Sequence, residues 1–378
     1  MNLLVICHEL PPVGGGSGNA ALAVSRELAK SHAVTVLTAG WRGLPPLEKE
    51  GSLSIVRTRP LRARVEGSSL LELAVFACAG TAAALRLNRR GRFDASLAFH
   101  GTAPAWIGWA LSKISGVPYL IALRGADVPG FVPEMYGRAH RAAGWLTRLC
   151  WRGAKCVAAN SEGLKRLADR TASKIGVDVR VIPNGVDAGF YRPAPLGGEP
   201  GALKGIYAGR LTEQKGLACL IDALTGSKEA LAGKLRVEII GEGPLKASLM
   251  TRADRQGLGS LVSFSPWLDK EDLRRKYQSA HFFVMPSVEE GMSNAALEAM
   301  ACGLPVLTTD IYGNAGLVED GVTGLLFPPR DAPALGRLLE RLDAGKLAGL
   351  GAAARRKAET LGWPETAAAF LAALGLPR

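Results

Sequence analysis

The 378-residue sequence predicts an α/β protein built from two parallel-sheet halves, and three observations carry that reading. Short runs rich in Val, Ile and Leu alternate with alanine-rich helical stretches along the whole chain, the pattern of a parallel sheet covered on both faces by helices. The chain is more than twice as long as a usual domain and is 48% apolar, enough to fill two cores. A stretch of prolines and glycines from Phe190 to Gly201 can continue neither helix nor strand and separates the two halves.

In the first half the strands fall at Leu3–Cys7, Val34–Thr38, Ser54–Thr58, Ala95–Phe99, Tyr119–Leu123, Cys156–Ala159 and Val179–Ile182. In the second they fall at Leu203–Ala208, Leu235–Ile240, Leu261–Phe264, Phe282–Met285, Pro305–Thr308 and Leu325–Phe327. This gives a first Rossmann-like domain over residues 1–195 and a second from 196 onward, with a cleft expected between them. In open parallel sheets the ligand lies beyond the carboxyl ends of the strands, so the residues just after each strand are the candidates for function.

Composition narrows the function classes. Cys7, Cys78, Cys150, Cys156, Cys219 and Cys302 show no C-x-x-C spacing, which argues against a disulfide scaffold or a zinc ribbon and for a reducing, cytoplasmic setting. The first residues, MNLLVICHEL, carry no signal-peptide pattern. The weakly charged stretch Leu70 to Leu87 is interrupted by Glu72 and Arg86 and reads as too short to span a bilayer. The net charge of +12 is unevenly placed: residues 1–195 hold 25 Lys and Arg against 13 Asp and Glu, whereas residues 196–378 hold 21 against 21. The first half therefore expects an anionic partner, which could be a nucleic acid, an acidic substrate or a membrane face; an evenly basic surface is the plain alternative.

After the first strand comes Pro11-Pro-Val-Gly-Gly-Gly-Ser-Gly18, leading into a helix over Asn19 to Lys30. Glycines such as Gly15 and Gly16 let a backbone approach an anion at a helix start, although the loop matches neither G-x-G-x-x-G nor a P-loop and would also serve as a flexible turn. Arg210 and Lys215 follow the first strand of the second half, between Gly209 and Gly216, and could grip a diphosphate or stand as solvated charges. The stretch from Phe282 to Leu307 reads strand, loop, helix, turn, strand. It puts Glu290 in the loop and Glu298 on a helix that Ser293 or Asn294 can cap. Helical side chains tilt toward the N-terminus, so both carboxylates are expected to face one ligand.

These residues resemble a family-4 retaining glycosyltransferase with the GT-B architecture, two Rossmann-like domains facing each other across a deep cleft. The likeness rests on the glycine loop at 14–18, Arg124-Gly-Ala-Asp127, Ala159-Asn-Ser161, Ile182-Pro-Asn-Gly-Val-Asp187, Gly209 to Gly216, Gly241-Glu-Gly-Pro244 and the Glu290-x7-Glu298 block. The resemblance implies hexosyl transfer from a nucleotide sugar, a UDP-sugar in preference to GDP-mannose, to a glycan or lipid-linked acceptor in envelope polysaccharide or lipopolysaccharide assembly. It implies a donor held by residues 196–363 and an acceptor held by residues 1–195, with 364–378 returning to the first domain. Arg210 and Lys215 would then bind the diphosphate, Glu298 the ribose, and Glu290 with Gly291, Met292, Ser293 and Asn294 the sugar and phosphate. Asn184, Gly209 and Glu242 complete the donor set, and Asp127 the catalytic one.

Breaking an anomeric bond leaves negative charge on the departing phosphate. The chain has no Asp-x-Asp tripeptide, so fixed cations and loop amides are expected to do this work with no metal or other cofactor. Arg124 stands where many relatives carry histidine, and a guanidinium cannot act as a base at neutral pH. His100 is the other imidazole after a strand, so both are expected to position or stabilise charge. Clusters at Arg57, Arg59, Arg62 and Arg64 and at Arg86, Arg89, Arg90 and Arg92 flank an apolar helix from Ser69, while Arg138, Arg141, Trp145, Arg148 and Arg152 share one helix face. An anionic membrane surface suits such a face, as does an ordinary basic surface. A GT-B epimerase or phosphorylase is the alternative enzyme. A nucleic-acid module is the alternative class, disfavoured by 6% aromatics, so no nucleic acid is expected.

Overall fold

The computed structural model describes residues 1–59, 68–195, 201–314 and 316–377. Arg62, Arg64 and the centre of the Phe190–Gly201 stretch lie outside the described residues. The chain forms two units, Met1–Gly185 with Trp363–Arg378, and Val186–Gly362.

The first unit runs β1 (Asn2–Cys7), α1 (Gly16–Ala29), β2 (Ala33–Thr38), β3 (Leu47–Glu50), β4 (Leu53–Arg57), α2 (Leu70–Gly91), β5 (Ala95–Phe99), α3 (Ala103–Ser115), β6 (Tyr119–Leu123), α4 (Pro133–Gly153), β7 (Cys156–Ala159), α5 (Glu162–Ala172) and β8 (Val179–Val181). Its eight strands are ordered β3-β4-β2-β1-β5-β6-β7-β8 and are parallel except β3. Strands β1, β5 and β6 are buried throughout or nearly so, as a sheet covered on both faces requires. Strand β3, Leu-Glu-Lys-Glu, escapes a hydrophobic reading because its charges face solvent at the sheet edge, where they discourage pairing with another chain. Arg57 is not part of a surface cluster: it is buried, ion-paired to Glu48 at 2.9 Å and bonded to the Pro45 carbonyl at 3.0 Å.

The second unit runs β9 (Leu203–Ala208), α6 (Leu217–Gly226), α7 (Lys228–Leu231), β10 (Leu235–Ile240), α8 (Lys246–Arg255), β11 (Val262–Ser265), α9 (Lys270–Gln278), β12 (Phe282–Met285), α10 (Asn294–Ala301), β13 (Val306–Thr309), β14 (Gly324–Phe327), α11 (Ala332–Glu340) and α12 (Ala344–Glu359). The strand order β11-β10-β9-β12-β13-β14 is that of a dinucleotide-binding Rossmann sheet. Helix α13 (Trp363–Leu374) then rejoins the first unit, burying Ala367, Phe370, Leu371 and Leu374 in the core beneath α1.

The division falls at Gly185/Val186, ten residues before Pro195. The cause is tertiary: Val186 N–H bonds the Leu361 carbonyl at 2.7 Å, and Tyr191 is buried in the second unit's core. Side chains of that unit also take the carbonyls that follow. Arg355 donates to Ala188 (3.1 Å), Tyr191 (2.7 Å) and Ala301 (2.5 Å), and Gln278 donates to Arg192 (2.7 Å).

Helix α2 is longer than the sequence reading allowed. By length and composition it could cross a bilayer, yet it joins two strands of one sheet and packs Phe76, Gly80 and Ala84 inward. A Cβ at Gly80 would lie 2.5 Å from Ile107 Cδ1 on α3, so the glycine permits close helix contact. Its start is a capping box in which Ser69 Oγ accepts the Glu72 N–H while the Glu72 carboxylate accepts that of Ser69.

Candidate functional site

Each sheet has one switch point, where successive connections leave in opposite directions and the strand ends diverge to open a crevice. In the second unit this lies between β9 and β12, and the residues that follow these two strands meet there. After β9, residues Glu213–Lys215 form a short 3-10 turn closed by Gly216, whose φ of 62° and close approach to the Pro286 carbonyl, 2.1 Å from where a Cβ would be, leave room for glycine alone. Gln214 ties this turn to the loop after β12: its Nε2 donates to the Glu289 carbonyl and its own carbonyl accepts the Val288 N–H, each at 2.9 Å. The tie delivers Lys215 Nζ to Glu290 Oε1 at 2.5 Å. Both side chains are largely buried, and Ser287 Oγ donates to the same carboxylate oxygen at 2.8 Å.

Arg210 is half-buried beside them, and no ion pair engages it among the described residues. The Tyr207 phenol donates to the Arg210 carbonyl at 3.0 Å. Burial and the Glu290 charge push that phenol well above its usual pKa while the Arg210 charge opposes them, which places both charges near one ring. Gly209 and Gly241 end β9 and β10 with their backbones in contact: a Cβ on Gly241 would sit 2.0 Å from the Gly209 oxygen. Glu242 is bound to Lys246 at 2.6 Å, and its carbonyl accepts the Leu211 N–H.

Helix α10 begins as expected, with Ser293 as the cap, its Oγ accepting the Ala296 N–H at 3.2 Å. Asn294 is the first helical residue, Gly291 is buried and Met292 packs at the core edge. The amides of 291–294 and Glu290 thus surround one helix start. Glu298 is set apart from Glu290. It lies among tyrosines, with the Tyr277 phenol 3.5 Å away and that of Tyr191 also bonded to it. Burial raises its pKa to about 7, with Lys270 and the two phenols pulling the other way. The rings of Tyr207, Phe283 and Tyr277 pack in succession from the Glu290 side to the Glu298 side. The two carboxylates therefore do not share one set of neighbours. Side-chain tilt leads the sequence to expect Glu298 facing the Glu290 loop, and it does not foretell the tyrosines that receive this carboxylate.

In the first unit the switch point lies between β1 and β5. The glycine loop after β1 closes on its own chain: Gly15 N–H donates to Glu9 Oε1 at 3.4 Å, and a Cβ at Gly14 would meet the Glu9 side chain at 2.5 Å. Helix α1 takes in the last three loop residues, starting at Gly16 rather than Asn19. After β5, His100 holds a φ of 95°, a strained backbone for a residue with a side chain. Its ring lies 4.7 Å from that of His8, and its buried Nε2 has no hydrogen-bond partner among the described residues.

Asp127 is buried and organises this end of the sheet by accepting N–H bonds from Gly101 (2.7 Å), Arg124 (2.9 Å) and Gly125 (2.8 Å). It thereby orders the backbone of Gly101 and of Arg124–Gly125, and its Oδ2 lies 3.9 Å from His100 Nδ1. The Arg124 guanidinium stacks 4.5 Å from the Phe99 ring centroid and 5.9 Å from that of Phe370, and it donates to Asn184 Oδ1 at 2.5 Å. Burial lowers its pKa to about 10, so it stays charged at neutral pH. Asn184 thus belongs to the first unit, beside Arg124. Sequence reasoning missed His8, Ser287 and the tyrosines, and it gave no role to Gln214 although that residue lies within the Gly209 to Gly216 motif.

Two parallel-sheet α/β units, each gathering charged side chains at its switch point and the first adding imidazoles there, with a C-terminal helix returning to the first unit, define the GT-B class of glycosyltransferases. The profile described as Glycosyltransferase Family 4 matches residues 14–190, and that of Glycosyl transferases group 1 matches residues 199–356. The chain belongs to this glycosyltransferase family. A D-inositol 3-phosphate glycosyltransferase of Streptomyces scabiei is 28% identical over 91% of this chain and 82% of its own length. One of Streptomyces bingchenggensis is 33% identical over 53% of this chain and 49% of its own. Among solved structures, sucrose-phosphate synthase of Thermosynechococcus elongatus superposes with a TM-score of 0.84 at 22% identity, covering 97% of this chain and 96% of that one. HepE of Anabaena in complex with UDP-glucose gives 0.77 at 19%, covering 99% of each. At these identities the structures speak for the fold.

Proposed function

We propose that the protein is a retaining, metal-independent hexosyltransferase that takes a UDP-sugar as donor and a glycan or lipid-linked molecule as acceptor. The carrying observation is the assembly of Arg210, Lys215, Glu290 and the amides at the start of α10 around one crevice in the second unit. As a nucleoside diphosphate departs, its growing charge needs donors already in place, and this cluster offers a guanidinium, an ammonium and a helix N-terminus. In the resting state Glu290 occupies Lys215; an incoming diphosphate would share or take over that ammonium. Glu298 would accept ribose hydroxyls, and a carboxyl held near neutrality does so best above about pH 7, where it is ionised.

The preference for uridine is supported by two fold neighbours, HepE in complex with UDP-glucose and the Escherichia coli trehalose-6-phosphate protein bound with UDP-2-fluoro glucose. The first unit would hold the acceptor near His100 and Arg124, which orient or stabilise charge. In the favoured same-face course the leaving phosphate itself takes the acceptor proton. The six cysteines are free thiols, in keeping with a cytoplasmic enzyme.

A panel of nucleotide sugars assayed by thermal shift and by release of nucleoside diphosphate tests the reading. A UDP-hexose should raise the melting point by mass action, and the product anomer, followed by proton NMR, should keep the donor's configuration. An inverted product would overturn the retaining course, full loss of turnover in EDTA the metal-independent one, and a shift with GDP-mannose alone the uridine preference.

A further inference from the structure

The excess charge of the first unit has a location that the donor chemistry does not use. Helix α4 has 21 residues, of which only Cys150 and Trp151 are buried. Its outer face repeats at three- and four-residue spacing: Arg138, Arg141, Trp145, Arg148, Leu149 and Arg152 are all exposed, Trp145 at 63%. Among the described residues no ion pair engages any of the four guanidiniums, and the helix's one acid, Glu134, sits in its first turn. Gly137 and Gly144 lie one turn before Arg141 and Arg148, and a Cβ at either would be 3.9 Å from the corresponding guanidine nitrogen. These two guanidiniums therefore lie back along the helix, over the preceding turn. Helix α2 covers the same side of the sheet, packed like α4 on α3, and it exposes Leu70 at 71% and Leu71 at 73%.

We propose that the outer faces of α4 and α2 form a docking surface for an anionic lipid bilayer. Unpaired guanidiniums complement anionic headgroups, while Trp145, Leu149, Leu70 and Leu71 enter the boundary between headgroup and acyl chain. The apolar members distinguish this surface from a nucleic-acid face, where aliphatic leucines would gain nothing and several aromatic planes would be needed for stacking. The second unit holds as many acids as bases, so attraction to the bilayer falls on one unit.

The test is flotation of the full-length chain with phosphatidylcholine vesicles, with and without phosphatidylglycerol, at low and high salt. Binding should require phosphatidylglycerol and weaken with salt. Each charge near such a surface is worth about a fivefold change in partitioning, so Arg141→Gln with Arg148→Gln should lower it roughly 25-fold. Brominated lipid should quench tryptophan emission, and Trp145→Phe should remove most of that quenching. Unchanged melting points and donor-induced thermal shifts would show that the variants fold. Absence of binding, equal binding to neutral vesicles, wild-type binding by the double variant, or tight RNA binding without lipid binding would each overturn the proposal. A chain that floats yet binds no nucleotide sugar would overturn the function proposed above and leave this surface standing.

Discussion

The two units use the same sheet plan but spend charge in opposite ways. In the second unit acids and bases are equal in number and interlocked, as in Lys215 with Glu290, Lys246 with Glu242 and Lys276 with Glu238. In the first the arginines outnumber the acids and those on α4 have no ion pair among the described residues, while Arg124 is buried against aromatic rings. Paired charge fixes loops in one geometry, which suits a site that must present donors to a developing anion. Unpaired exposed charge fixes nothing locally and is available to something outside the chain.

The sharpest way to break this contrast is to remove cations of differing pairing within the second unit. Arg210→Ala should lower turnover by about 10²–10³ with little change in melting point, since its guanidinium carries no ion pair among the described residues. Lys215→Ala should lower turnover as much and also destabilise the fold by about 3 kcal/mol, because it strands a largely buried Glu290. Equal stability of the two variants, measured by denaturant titration, would contradict the idea that one cation is structural as well as functional.

Arg355→Met tests the fastening of residues 188–191. It removes bonds to three carbonyls and should cost about 3 kcal/mol. Donor KM should rise more than kcat falls, because Tyr191 would lose its seat beside Glu298.

A third prediction concerns pH. A carboxyl whose pKa is raised on folding holds its proton more tightly in the native chain. Its effect on stability is most favourable below the ordinary value near 4.5, declines as pH climbs toward about 7 and is level above that. Glu298→Gln should therefore melt above the wild type at pH 8, by at most roughly 3 kcal/mol, with the gap closing toward pH 5. A gap independent of pH would mean that burial does not govern this carboxyl. The smallest effect is expected in the first unit, where Ser69→Ala removes one half of a capping box and should cost about 1 kcal/mol, with donor binding untouched.

Much of this was readable beforehand, and the gaps have physical causes. The strands Tyr119–Leu123 and Phe282–Met285 follow from continuous apolar runs, the signature of strands covered on both sides, and Ala95–Phe99 from a run broken only by Ser96. Strand β3 was invisible because three of its four residues are charged. The unit boundary was misplaced because prolines and glycines announce themselves locally, whereas capture of Val186 and Tyr191 depends on Leu361, Arg355 and the tyrosine core far along the chain. Within the candidate site, motif spacing found Lys215, Glu290 and the cap at Ser293. It could not find the strained His100 backbone, the consumption of Asp127 by backbone amides or the separation of Glu298 from Glu290, all of which arise from packing between distant segments.

The seat of Arg355 bears on anyone who wishes to dissect the chain. A fragment started at residue 196, where the prolines invite a cut, would discard Val186 and Tyr191 and leave this guanidinium with two of its three carbonyl acceptors missing. A fragment spanning 186–362 would keep the whole fastening, and its first residue would be laid down by the last turn before α13.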